Sequence, residues 1–169
     1  NSLTSLMIKK VTGFAPARSI PQLAPVTFRR WLKKNLAQLN PATPMGEVYL
    51  FVDEFTDHND LNAGIATARL LTRLGYRITV TANAASARTY ISKGFLRKAR
   101  KLIIKNIEIF SPLVGEGRPL VGIEPSAILG FRDEFPGLAG DKHRPEALRL
   151  AQYTYTLEEF ITMEFSAGR

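Results

Sequence analysis

The 169-residue chain contains no cysteine. Disulfides are therefore excluded, as is any thiolate-ligated zinc or iron–sulfur centre built from this chain alone. Its two histidines, His58 and His143, stand far apart in sequence, which disfavours a histidine-rich metal site. No apolar run approaches the roughly 20 residues that a membrane-spanning helix requires. A glycine-rich phosphate loop is also missing: Ser92-Lys93-Gly94 reverses the usual order and has no glycines before it. Nucleotide binding of the Rossmann type is thereby disfavoured. The first residues, Asn1-Ser2-Leu3, show no signal-peptide pattern that would point to secretion, and the missing Met suggests an excised piece of a longer protein, although trimming or a tag remnant would look the same. The lack of cysteine is compatible with a reducing cytoplasm, the location expected here.

What is present is an alternation of short apolar runs and helical patterns. Hydrophobic residues make up 45% and charged residues 22%, an ordinary balance for a globular domain with a real core. Val48-Tyr49-Leu50-Phe51-Val52 ends on Asp53-Glu54, Tyr76-Arg77-Ile78-Thr79-Val80 leads to Ser86-Ala87-Arg88, and Pro119-Leu120-Val121-Gly122-Ile123 ends on Glu124-Pro125-Ser126. Helical stretches lie between these runs, so they read as parallel strands joined by crossovers. The expected fold is α/β, a Rossmann-like three-layer half-domain with a short, mainly parallel sheet, preceded by a helical N-terminal arm. Crossovers return the chain to the same end of the sheet, so the three polar clusters should share one edge. Open α/β sheets bind their ligands there.

Residues 1–45 read as arm and linker and 46–169 as the half-domain, because Asn40-Pro41-Ala42-Thr43-Pro44-Met45-Gly46 carries two prolines and a glycine. The arm holds a short amphipathic helix over 2–12, with Leu3, Leu6 and Met7 on one side. A proline-bearing connector follows, then a second helix opened by Pro25 or Thr27. Later helices are expected after a cap at Asn59 or Asp60 and, with Gly75 closing the first of them, after a cap at Ser92. The helix after Ser92 should bury Phe95, Ala99, Leu102, Ile103, Ile107 and Phe110. A single last helix is expected from Pro145 to Phe165.

Net charge is +8. Two basic runs carry much of it, Arg29-Arg30 with Lys33-Lys34, and Arg97-Lys98 with Arg100-Lys101 and Lys105; both read as solvated helix faces or a docking surface. Neither shows the aromatic interleaving that stacks bases, so nucleic acid is disfavoured. On the polar edge, Asp53 and Glu54 suit metal binding, acid–base work or helix capping. Ser86, Arg88 and Lys93 stand near a helix start where an anion would be favoured. Glu124 and Ser126 flank a proline turn. Ser126 reads as a cap rather than a nucleophile, since the residues around it lack the elbow pattern. Asp133-Glu134 reads as surface, or as partner to Arg132 or Arg88.

The order of these stretches, from Val48 through Thr56, Leu74-Gly75-Tyr76, Ser86 through Gly94, and Gly122 through Leu129, resembles one half of the cysteine-rich CCG domain. That domain occurs in heterodisulfide reductase subunits and in iron–sulfur proteins of the glycolate-oxidase and D-lactate-dehydrogenase type. Gly13-Phe14-Ala15-Pro16-Ala17-Arg18-Ser19-Ile20-Pro21 is similar to the connector that follows a ferredoxin-type module in large FAD-linked members. In the family each half supplies one cysteine after the first strand, an adjacent pair further on, and a C-x-x-C beyond it. Those places fall here near Asp53 or Glu54, at Ala85-Ser86, and at Ile123 with Ser126, and none is cysteine.

The resemblance implies a fragment of a multidomain FAD- and iron–sulfur-dependent oxidoreductase of the 2-hydroxy-acid dehydrogenase type. FAD and a 4Fe–4S cluster are expected in the parent, and none in this fragment, which should be inactive alone. Its implied role is a cluster-free scaffold forming one wall of the electron-transfer or acceptor site, lined by Asp53, Glu54, Ser86, Arg88, Lys93, Glu124 and Ser126. Its partners would be the flavin domain, the ferredoxin-type module and a second CCG half of the same polypeptide. The parent would be cytoplasmic, with peripheral membrane attachment as a variant. The rival reading is a basic α/β interaction module for nucleic acid or an acidic protein. A receiver domain fits less well, because the third strand ends on Glu124 where a receiver places other chemistry.

Overall fold

The computed structural model describes residues 3–19 and 22–168. Helices α1 (Leu3–Thr12) and α2 (Phe28–Leu39) precede strand β1 (Gly46–Phe51). A short helix α3 (Glu54–His58) and α4 (Leu61–Arg73) lead to β2 (Tyr76–Thr79). Helices α5 (Arg88–Ser92) and α6 (Leu96–Phe110) lead to β3 (Leu120–Gly122), and α7 (Pro125–Ile128) follows. After a 3-10 turn come α8 (Phe135–Leu138), α9 (Arg144–Ala151), β4 (Thr154–Thr156) and α10 (Leu157–Ser166).

The four strands form one sheet in the order β2-β1-β3-β4, and every pairing is parallel. Gly46 pairs with Tyr76, Tyr49 with Leu120, and Leu120 with Thr154. The expected α/β class with a parallel sheet is therefore what the chain forms. Alternate residues of β1 supply opposite cores, as a two-residue period requires. Val48, Leu50 and Val52 pack with Phe28, Leu32, Ala68, Leu71 and Phe160 on one side. Tyr49 and Phe51 pack with Ala99, Ile103, Ile107, Phe110 and Phe131 on the other. Both faces of β1 and β3 are covered, which is why these two strands read as apolar runs, while edge strand β2 leaves Arg77 exposed.

Helix α2 is seated directly on the first of these faces. Thr27 caps it by accepting from the Arg30 amide. A Cβ at Gly64 would lie 2.8 Å from the Phe28 ring, so the lack of a side chain there lets α2 and α4 approach. Asp60 caps α4, and Gly75 closes it with φ +90°, a conformation that costs glycine little. Helix α1 lies differently: Leu3 is 81% and Met7 71% exposed.

In three places the chain departs from what its local pattern predicts. The single helix over 145–165 is divided into α9, β4 and α10. The alternation Thr154-Tyr155-Thr156 buries both threonines beside β3, and Thr156 then starts α10 through a capping box with Glu159. Ser92 ends α5, bonding back to the Thr89 carbonyl, and Phe95 stands at the cap of α6. Phe95 itself is 54% exposed rather than buried, although Ala99, Ile103, Ile107 and Phe110 are buried as their spacing demands.

Candidate functional site

The parallel order brings the polar strand ends to one rim. At the end of β1, Asp53 caps α3: its Oδ1 accepts from the amides of Phe55 and Thr56, both at 2.9 Å, and its Oδ2 from the Thr56 hydroxyl at 2.6 Å. Asp53 is buried, and these donors compensate its removal from water. Glu54 reaches instead across to the segment after β2. Its carboxylate accepts from the Ser86 amide at 2.9 Å and the Ser86 hydroxyl at 2.7 Å, and Ser86 is itself buried.

The next residue, Ala87, has φ +70°, and among the described residues no other non-glycine has positive φ. This left-handed turn directs Arg88 toward β3, where its guanidinium meets Glu124 at 3.1 Å and also donates to the Ser126 hydroxyl. Glu124 caps α7, with the Ser126 hydroxyl donating to the same carboxylate oxygen at 2.5 Å. The structure thus joins Glu54 to Ser86, and Arg88 to Glu124 and Ser126. Ser126 does not cap its helix as expected, because Glu124 fills that position. Lys93 is not drawn in; it lies exposed just past α5. Asp133 and Glu134 also take no part: Arg132 pairs with Glu159 at 2.9 Å and Arg88 with Glu124.

Four residues outside the predicted set complete this rim. Arg29, from α2, donates to the Val52 carbonyl at 3.0 Å, the Thr81 carbonyl at 2.8 Å and the Asn83 side chain at 2.5 Å. It also faces Asp57, whose carboxylate accepts the Arg29 amide at 2.8 Å. Burial lowers the Arg29 pKa, and the charges of Asp57 and Asp53 oppose that shift. Arg29 thus departs from the expected solvated face and braces the ends of β1 and β2 from outside the sheet. Asn83 donates to Val52 as well. Asn106, fully buried on α6, accepts from the Ala84 amide and donates to the Ala85 carbonyl, both at 2.9 Å. The sequence did carry a signal for Asn106: it is a polar residue on the apolar stripe of Ile103, Ile107 and Phe110. The pairing of Arg29 with Asp57 had none, since they meet across separate helices. A shallow cleft beside this network is lined by Arg29, Asp53, Glu54, Asp57, His58 and Asn83.

The chemistry of this rim is that of a closed network. Asp53 and Glu54 have both oxygens engaged, and the Ser126 hydroxyl shares its carboxylate partner, Glu124, with the Arg88 guanidinium. His58 stands beside Asp57, at 3.6 Å. The places where the resembling CCG domain carries cysteines hold Asp53 or Glu54, Ala85-Ser86, and Ile123 with Ser126. Alanine and isoleucine offer no donor, and the carboxylates and hydroxyls are committed to helix caps and loop ties. These residues do not fit an iron–sulfur cluster. Among the described residues, no three histidine, aspartate or glutamate side chains are grouped as metal ligands, and no helix is long and apolar enough to cross a membrane.

The sequence matches no protein-family model and no solved structure. It is similar to segments of curated dehydrogenases. Over 108 residues it is 32% identical to D-2-hydroxyglutarate dehydrogenase of Pseudomonas putida, covering 62% of this chain and 11% of that protein. Over 109 residues it is 26% identical to D-2-hydroxyglutarate dehydrogenase of Escherichia coli, again 11% of that protein. Over 121 residues it is 29% identical to one of the subunits of the anaerobic glycerol-3-phosphate dehydrogenase of Escherichia coli, covering 70% of this chain and 30% of that polypeptide. The chain therefore spans about a tenth of the first two relatives and under a third of the other. The relatives are oxidoreductases by name, and all three are much longer than the stretch they share with this chain.

Proposed function

We propose that this chain is part of a multidomain oxidoreductase of the 2-hydroxy-acid dehydrogenase type, whose flavin and iron–sulfur centres lie in other parts of the polypeptide. Its role there is a cluster-free scaffold. Residues 46–169 act as a CCG-like half-domain and present one wall of the electron-transfer or acceptor site, while residues 1–45 lead in from the preceding module. Asp53, Glu54, Ser86, Arg88, Glu124 and Ser126 form that wall, with Lys93 at its margin. The flavin domain, the ferredoxin-type module and a second, cysteine-bearing half are the partners this reading requires.

The single observation that supports the reading most is the rim itself. Three strand-end segments, at the places where the resembling domain carries ligands, converge on one edge and are tied to one another by Glu54–Ser86 and Arg88–Glu124 bonds in place of ligands. Similarity to dehydrogenase segments supports the oxidoreductase context.

Anaerobic iron–sulfur reconstitution and flavin analysis of the purified chain test the scaffold role. Neither a cluster nor flavin should be retained; a stoichiometric amount of either removes the proposal. In the polypeptide that carries this segment, Arg88→Ala should leave flavin reduction by the 2-hydroxy acid unchanged and slow flavin reoxidation by the acceptor. Equal reoxidation rates would deny this wall any part in electron transfer.

A further inference from the structure

We infer that the outward face of α6, from Phe95 to Lys105, is a docking surface for an acidic amphipathic segment of a partner protein. Charge placement and exposure carry this, whether or not the oxidoreductase reading holds. Between Arg88 and Lys105 the sequence has seven basic residues and no acidic one, against a net charge of +8 for the whole chain. Outside this stretch positive and negative residues nearly cancel. The imbalance is therefore local.

Two of the seven cations are already engaged. Arg88 is held by Glu124, and the Arg100 guanidinium lies over Gly140, filling space that a Cβ there would need. The remaining five, Lys93, Arg97, Lys98, Lys101 and Lys105, are exposed, and among the described residues no carboxylate forms a salt bridge with any of them. Arg97, Lys101 and Lys105 recur at four-residue spacing and so form one stripe, about 12 Å long at the rise of an α-helix. The helix start adds to this field: no acidic residue occupies its first turn, and no side chain caps it.

Beside the stripe lies apolar surface that a solvated charged face would not need. Phe95 is 54%, Leu96 49% and Tyr90 37% exposed. The Lys98 ammonium sits 5.6 Å from the centre of the Phe95 ring and 5.8 Å from that of Tyr90. Such aromatic–cation interleaving was not visible in the linear order of residues; the turn at Gly94 creates it. A partner offering carboxylates along one edge and apolar side chains along the next would satisfy the stripe and cover Phe95 and Leu96 together. A nucleic-acid backbone would satisfy only the first.

The test titrates the full chain with a synthetic helical peptide carrying glutamates at four-residue spacing beside a row of leucines. Controls are a scrambled peptide of identical composition and a short DNA duplex. Anisotropy should show saturable binding by the patterned peptide and at least roughly tenfold weaker binding by the scrambled one. Amide resonances should shift within 90–105. Combined Arg97→Glu, Lys101→Glu and Lys105→Glu replacement should weaken the peptide at least roughly tenfold, and Phe95→Ala should weaken it by a smaller factor. Should the triple variant lose its circular dichroism spectrum, Lys101→Glu alone carries the same test. Equal affinity for patterned and scrambled peptides, no binding at low salt, or a duplex that binds more tightly and ignores Phe95→Ala would each overturn the inference.

Discussion

The rim at the strand ends and the outward face of α6 are neighbours built on opposite electrostatic plans. At the rim, Asp53 accepts from two amides and a hydroxyl, Glu54 from Ser86, and Glu124 from Arg88 and Ser126. On and beside α6, five exposed cations have no carboxylate among the described residues. Polar residues at the carboxyl edge of a parallel sheet thus need not be poised for a ligand. Where partners are built in, polar groups hold loops; where they are missing, the chain has left charge for something else to meet.

This contrast predicts that changes at the rim act on stability and changes on α6 do not. The largest effect is expected where β3 meets the rim. A Cβ at Gly122 would lie 2.5 Å from the Ile128 Cβ, so Gly122→Ala must push α7 and its Glu124 cap away from the sheet. Overpacking of this kind should cost about 3 kcal/mol in urea unfolding. A loss below about 1 kcal/mol would show that α7 shifts freely, and that the rim is less tightly tied than its bonds suggest.

Glu54→Ala comes next. It removes both acceptors of buried Ser86, and should cost about 2 kcal/mol. The double variant Glu54→Ala, Ser86→Ala keeps the amide orphaned but removes the hydroxyl, so it should recover part of that loss; chemical denaturation of the pair measures how much. Arg88→Glu sets like charges together at a site about one-third exposed, and about 1 kcal/mol is expected after screening. The matching reversal on α6, Lys101→Glu, should change stability by less than about 0.5 kcal/mol. If both reversals cost the same in one set of unfolding curves, the contrast between the two regions fails.

Ala87→Gly should have the smallest net effect of all. Glycine would relieve the left-handed conformation, worth about 1 kcal/mol, but would lose a buried methyl group worth about 0.8 kcal/mol. A melting temperature close to that of the parent chain is the expected reading. A large rise would mean the turn is strained well beyond its dihedral angle.

Much of this architecture was legible from local pattern. Val48 to Val52 and Pro119 to Ile123 announce buried parallel strands because both faces are apolar, and Tyr76 to Val80 announces an edge strand by alternating apolar residues with Arg77 and Thr79. Gly75 and Asp60 stand where helix ends need them. The fourth strand was not legible: Thr154-Tyr155-Thr156 is three residues long and sits within a periodic pattern that suits a helix equally well. Pairing with β3 decides for the strand, through long-range bonds that no local window contains.

For the rim, the sequence determined which polar residues end each strand, and alternation of strand with helix determined that they share an edge. It also determined that no thiolate is available there. Only the tertiary structure decided who meets whom: Glu54 turns to Ser86, Arg88 to Glu124, and Arg29 arrives from a helix before the sheet. Backbone periodicity is a property of neighbouring residues and is written in the chain. Side-chain pairing depends on the packing of distant elements, and is fixed only once burial has set the position of every helix against the sheet.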